Sequence, residues 1–184
     1  MDKPLVVSAV RNWAMHEHCI ADNLYWAECD VRVLDNRIGN ERIPVLYNRV
    51  LDGLDCNSSR WLVFCHEDFK PFEAVDPCLV QADERMIYGV IGGILAPRRS
   101  WLLGGVWGGA IRGQIVESEK DGACARVHGV KVPLGTIVET VDCQCLIVHS
   151  SLVQKYGLRF DENLSFDLYT EDFCLGAYLK HGIL

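Results

Sequence analysis

Five consecutive apolar residues, Trp61, Leu62, Val63, Phe64 and Cys65, run straight into the polar triplet His66-Glu67-Asp68. A strand that is apolar at every position must be covered on both faces, which places it inside a sheet flanked by helices. In open α/β sheets ligands bind beyond the carboxyl ends of the strands. An imidazole and two carboxylates at that exit are therefore candidates for metal or phosphate chemistry. The alternative is a strand-to-loop exit whose charges are simply solvated.

The residues before this strand supply its neighbours. Leu5 to Val10 is a short apolar strand, His16 to Ala27 is helix-like, and Asp30 to Leu34 alternates as a strand that ends at Asp35-Asn36. Ile43, Leu46, Tyr47, Val50 and Leu51 recur at helical spacing, with Pro44 in the first turn and Gly53 as the stop. Strand, helix, strand, helix, strand is the pattern of right-handed βαβ crossovers in a parallel sheet. Three strand ends then meet at one rim and carry Arg11-Asn12, Asp35-Asn36 and His66-Glu67-Asp68. Asn and Asp also favour strand ends for local reasons, because their side chains bond nearby backbone.

Downstream, Pro77 to Arg85 reads as a short helix and Met86 to Ile91 as a strand. Seven of the chain's 16 glycines fall between Gly92 and Gly113, which predicts a loop-rich connection without a phosphate-cradling glycine motif. Trp101 and Trp107 in that stretch could form an aromatic platform or a lid over the core. Glu117 to Gly129 reads as an exposed excursion. Thr136 to Val148 is strand-rich, Ser150 or Ser151 can cap a helix running to Tyr156 with Gly157 as its end, and a last helix spans about Asp172 to His181.

With 184 residues, 49% of them hydrophobic, the chain can bury one substantial core, and a single domain is expected. A net charge of -7 argues against a broad nucleic-acid footprint, which needs a clustered basic surface. No apolar run reaches the roughly 18 residues of a membrane span, and the opening MDKPLVVSAV reads as a strand, not a signal peptide. These features point to a soluble cytoplasmic protein. The nine cysteines are odd in number and include no C-x-x-C pair, so reduced core thiols are expected in place of a disulfide scaffold. Cys143 and Cys145 share one strand face without a matching second pair, which favours packing over a metal site. His16 and His18 do not share a helix face and read as surface histidines.

Taken together, VVSAVRN at 6 to 12, IPVLYNRVLDG at 43 to 53, WLVFCHEDF at 61 to 69, IVETVDCQCLIV at 137 to 148, YGLRFDENLSF at 156 to 166 and YTEDFCLGAYLKHG at 169 to 182 resemble the glycosyltransferase family 2-like group. The likeness is to its small glycosyltransferase-like branch and spans most of the chain. It implies the GT-A nucleotide-sugar-binding fold: a Rossmann-like α/β domain with an open, mostly parallel mixed sheet flanked by helices. About 1–92 would form the nucleotide-sugar half and about 93–184 the acceptor half, and the chain could be a fragment of a longer enzyme.

The resemblance also implies roles. Asp68 matches the last acid of the D-x-D motif that holds a divalent cation against the donor diphosphate, and His66 stands where the first acid normally stands. An imidazole there favours a softer ion than Mg²⁺, so Mn²⁺ is expected before Mg²⁺, with His66 either ligating it or donating a hydrogen bond to phosphate. Glu67 matches the variable middle of the triplet. Arg11, Asn12 and Asp35 match nucleoside-contacting positions, and a carboxylate at 35 suits uracil. Asp142 resembles the acceptor-side aspartate. Within Glu171-Asp172, an acid matching Asp172 is the general base of inverting relatives, although acids at a helix start are stabilised there without any function. Asn48, Phe160 and Asp161 read as structural. The implied partners are a nucleotide-sugar donor and a glycan or other hydroxyl acceptor. The competing readings are a nucleotide-sugar-binding domain without transfer and a metal-dependent hydrolase.

Overall fold

The computed structural model describes residues 2–94, 110–118 and 125–184. Trp101 and Trp107 lie outside the described residues, as does Cys124. In chain order the first half contains β1 (Leu5–Val10), α1 (Trp13–His16), a π-helical turn at Glu17–Ala21, a 3₁₀ turn at Leu24–Trp26, β2 (Asp30–Asp35), α2 (Ile43–Asp52) and β3 (Trp61–Cys65). There follow α3 (Asp76–Val80), β4 (Ile87–Gly89), β5 (Ile91–Ile94), β6 (Ala110–Ser118), β7 (Ala125–Val130), β8 (Thr140–Val141), β9 (Cys145–His149), α4 (Ser150–Tyr156) and α5 (Tyr169–His181).

The main sheet has the order β2-β1-β3-β9-β4. β1 is parallel to β2 and to β3, while β9 is antiparallel to both β3 and β4. Four strands thus run one way and only β9 opposes them, so the expected mixed, mostly parallel sheet is present. Its two faces bury alternate residues of the same strands. Val7, Leu62, Phe64, Leu146 and Val148 pack with α2, α4 and α5. Val6, Trp61, Val63, Cys65 and Ile147 pack with Cys19, Ile20, Trp26 and Leu79. All five residues of β3 are buried, as its composition requires.

Several expectations need correction. The helix expected over 16–27 is three short pieces. Asn12 starts α1 early by accepting from the Met15 N–H (3.2 Å), and Asn23 restarts the chain by accepting from the Tyr25 N–H (3.0 Å). His16 is consequently turned inward and buried, not a surface residue. α4 is capped by the His149 side chain instead of a serine, and α5 begins at Tyr169, ahead of Asp172. The helix expected over 77–85 is confined to Asp76–Val80.

The largest difference lies in the glycine-rich region. Met86 to Ile91 splits between two sheets, and β5 joins an antiparallel sheet of order β7-β6-β5-β8. The stretch expected as an exposed excursion holds β7 and part of β6. The glycines serve close approach of backbones here. A Cβ on Gly113 (φ +86°) would collide with the Val90 carbonyl oxygen, and one on Gly129 (φ +80°) with the Gly113 carbonyl oxygen.

Candidate functional site

The parallel register of β1 with β2 and β3 brings their carboxyl ends to one edge. There, Arg11, Asn36, His66, Glu67, Asp68 and Phe166 line a hollow of about 110 Å³. Glu67 is half-buried among them. One of its carboxylate oxygens accepts the backbone N–H of Asn12 at 2.9 Å and also that of Arg11. It is therefore the tie between the ends of β1 and β3, a role that its place in the middle of the triplet does not suggest. The Arg11 guanidinium donates to the amide oxygen of Asn40, which adopts φ +45°.

His66 is buried. Its Nε2 lies 3.0 Å from the Tyr169 hydroxyl, and its ring centroid lies 5.2 Å from that of Phe166. Burial pushes its pKa below the ordinary histidine value, against the opposing pull of Asp68, Asp142, Glu67 and Asp167. Asp68 is exposed at the mouth of the hollow.

The turn between β8 and β9 and the start of α5 add further acids. Asp142 is half-buried and accepts the Gln144 N–H at 2.9 Å. Glu171 is also half-buried and accepts from the Thr170 hydroxyl at 2.9 Å. Burial raises the Glu171 pKa, and the neighbouring Asp142 and Asp167 carboxylates add to the rise. Asp172, favoured from the sequence as the base, is exposed on α5. Asp167, Phe166 and Tyr169 carried no signal in the sequence beyond their position beside the acidic helix start.

Other candidates are engaged in local structure. The Asn12 side chain caps α1. Asp35 accepts from the Arg37 side chain at 2.9 and 2.7 Å, and that guanidinium holds its carboxyl at a pKa of about 2. Asn36 braces Glu41 through both ends of its amide. Asn48 does the same for Phe160 and also reaches Glu162. Phe160 is buried in the core and Asp161 forms a turn with Asn163, so these three residues are structural.

A larger hollow of about 500 Å³ lies near the opposite end of β9 and is lined in part by Glu84, Ser151, Lys155 and His181. Beside it, Ser151 Oγ (2.7 Å) and Glu84 Oε2 (3.6 Å) both face the same nitrogen, Nδ1, of His149. A nucleophile-activating relay needs the serine and the acid on different ring nitrogens, so this trio is no catalytic triad.

Among the described residues no group of three or more His, Cys, Asp or Glu side chains is arranged to hold a metal ion. The acids at the rim are hard oxygen donors of the type that suits Mg²⁺ or Mn²⁺, and such ions commonly take only one or two carboxylates and complete their shell with phosphate and water. The donor chemistry therefore fits a cation carried in with a phosphorylated ligand. All eight described cysteines are free, and no helix among the described residues is long and apolar enough to cross a membrane. No protein-family model matches the chain, and no curated protein matches it.

Proposed function

We propose that this chain is a glycosyltransferase that moves a sugar from a nucleotide-diphosphate sugar, a UDP-sugar first, to an acceptor hydroxyl with inversion at the anomeric carbon. The observation that carries the reading is the convergence on one edge of Arg11, His66 and Asp68 with the half-buried acids Asp142 and Glu171. The hollow of about 110 Å³ suits a phosphate group, and pockets that enclose a whole small-molecule ligand are typically about 300 Å³ or more. The sugar and nucleoside would therefore extend along the open edge.

In this reading Arg11, held by Asn40, faces the diphosphate with a permanent positive charge. Asp35 keeps lone pairs for a base N–H beyond those that Arg37 uses. Asp68 would hold a divalent cation, Mn²⁺ or Mg²⁺, whose charge would offset that of the departing nucleoside diphosphate. Glu171 takes the proton from the acceptor hydroxyl as its oxygen bonds to the anomeric carbon and the bond from that carbon to the phosphate oxygen breaks. Burial raises the pKa of Glu171 and so strengthens it as a base, whereas Asp172 faces solvent. Asp142 lies on the acceptor side. Binding without transfer is the second reading, favoured by the lack of a preassembled three-donor group among the described residues.

A thermal-shift panel of UDP-, GDP- and dTDP-sugars, with and without Mn²⁺, tests the proposal. A ligand at about 100 times its dissociation constant adds roughly 2.7 kcal/mol of stability. Stabilisation by a UDP-sugar together with acceptor-dependent turnover supports transfer. Stabilisation without turnover supports the second reading, release of free sugar without an acceptor supports hydrolysis, and no shift with any member removes the donor site.

A further inference from the structure

Resting on the nucleotide-sugar reading, we propose that Phe166 and the carboxylates beyond it select a neutral hexopyranose as the transferred sugar, with a C–H face of that sugar stacked on the Phe166 ring. Phe166 lines the hollow together with Arg11, His66 and Asp68, yet it is 55% exposed. Its ring leans on that of His66 at 37°, with centroids 5.2 Å apart. The chain turns at Leu168, whose φ of +65° is rarely adopted by a bulky residue. Tyr169 then enters the core at the start of α5, while Phe166 and Leu168 stay at the surface. Backbone strain of this kind persists where the surrounding structure imposes it, and it concentrates at functional sites.

The order of groups along the rim decides what the exposed ring meets. In the sheet order β2-β1-β3-β9, Asp35 ends β2 on the nucleoside side. Arg11 and the His66-Glu67-Asp68 triplet follow β1 and β3 at the diphosphate, and Asp142 precedes β9 on the acceptor side. Phe166 packs on His66 and stands just ahead of the proposed base, Glu171, in the chain. The part of a donor that lies between its diphosphate and the base is the transferred sugar.

The face of an aromatic ring is its negative side, which suits the positively polarised C–H bonds on one side of a hexopyranose. A carboxylate does not suit it. Among the described residues Asp142, Asp167 and Glu171 have no ion pair with a lysine or arginine. Asp142 and Asp167 both push the Glu171 pKa up, so their charges act on one another across the acceptor side. The carboxylate of a uronic acid would add a further negative charge to this field. Phe166 is thus a specificity-determining residue, and the acids behind it set the charge that the sugar is allowed.

Calorimetric titration of the full chain with UDP, UDP-glucose, UDP-galactose and UDP-glucuronic acid, each with Mn²⁺, tests both halves. The better of the two neutral UDP-hexoses is expected to bind the wild type roughly tenfold more tightly than UDP-glucuronic acid. Phe166→Ala should weaken that hexose by roughly three- to tenfold, the scale of one aromatic contact, and leave UDP alone unchanged. Phe166→Tyr, which keeps the ring face, should retain the wild-type affinity. Asp167→Asn should tighten UDP-glucuronic acid by about threefold, the scale of one exposed charge, without affecting the hexose.

Because Phe166 is exposed, equal denaturant midpoints of the variants and the wild type check that folding is intact. Equal weakening of UDP and the hexose in Phe166→Ala would put the ring on the nucleotide, and unchanged affinity for every ligand would leave the ring without a role. Either result overturns the inference while the donor site stands, as does UDP-glucuronic acid binding the wild type as tightly as the hexoses. A wild-type chain that binds neither UDP nor any UDP-sugar removes the donor reading and the inference with it.

Discussion

His66 and His149 are buried histidines at opposite ends of the same antiparallel ladder, and they differ in what surrounds the ring. His149 ends β9 opposite Trp61, caps α4, bonds Ser151 and packs edge-on against Trp61 with ring centroids 5.1 Å apart. His66 leaves β3 with Nε2 tied to Tyr169, and its charge state is coupled to four carboxylates, Asp68, Asp142, Glu67 and Asp167. The larger hollow lies near His149 and the smaller at His66. Volume alone therefore points to the His149 end. What distinguishes the candidate site is the chemistry left over after local structure has been satisfied.

Substitutions at the two ends should separate sharply. With a donor and acceptor identified, Glu171→Gln should lower turnover by ~10²- to 10⁴-fold, whereas Asp172→Asn and Ser151→Ala should leave it within a few-fold of wild type. A turnover assay with all three variants checks this, and an equal loss in Asp172→Asn would return the base role to that residue. The next largest effect is on stability. Glu67→Ala removes the acceptor of two backbone N–H groups and should cost about 2 kcal/mol, read as a lower denaturant midpoint with an unchanged slope. At the other end, Ser151→Ala should cost about 1 kcal/mol, because only one neutral hydrogen bond to His149 is lost.

Smaller still is the pH dependence, which both ends should share. Burial depresses the pKa of His66 and of His149 below the ordinary 6.5. The unfolded chain therefore binds more protons than the folded chain just below that value. Stability should fall as pH drops below 6.5 and level off beneath the folded values. Denaturant midpoints at about pH 7.5 and about pH 5.5 measure this, and His66→Asn and His149→Asn should each make the decline shallower.

The parts legible in the sequence were those set by local pattern. α2 follows from its apolar spacing with Pro44 in the first turn and Gly53 at the stop, and β3 from its unbroken apolar run. β6 and β7 were hidden because Gly113 and Gly129 look like loop residues until Val90 and the opposite strand are seen crowding them. The helix expected after β1 failed because Asn23 offers its side chain to the backbone and starts a new turn. At the rim, the position of the His66-Glu67-Asp68 triplet could be read from the strand exit. Its internal division of labour could not. Glu67 ties to backbone more than fifty positions away, and Tyr169 reaches His66 from a helix over one hundred positions on. Both relations exist only in three dimensions.

The claim that the chemistry resides at the His66 end is tested most directly by mapping backbone amide shifts on titration with UDP and Mg²⁺. The account predicts that the amides of Arg11, Asn12, Glu67 and Asp68 move together and saturate, while those of Ser151, Lys155 and His181 stay in place. Saturable movement at Ser151, Lys155 and His181 with a silent rim would contradict it.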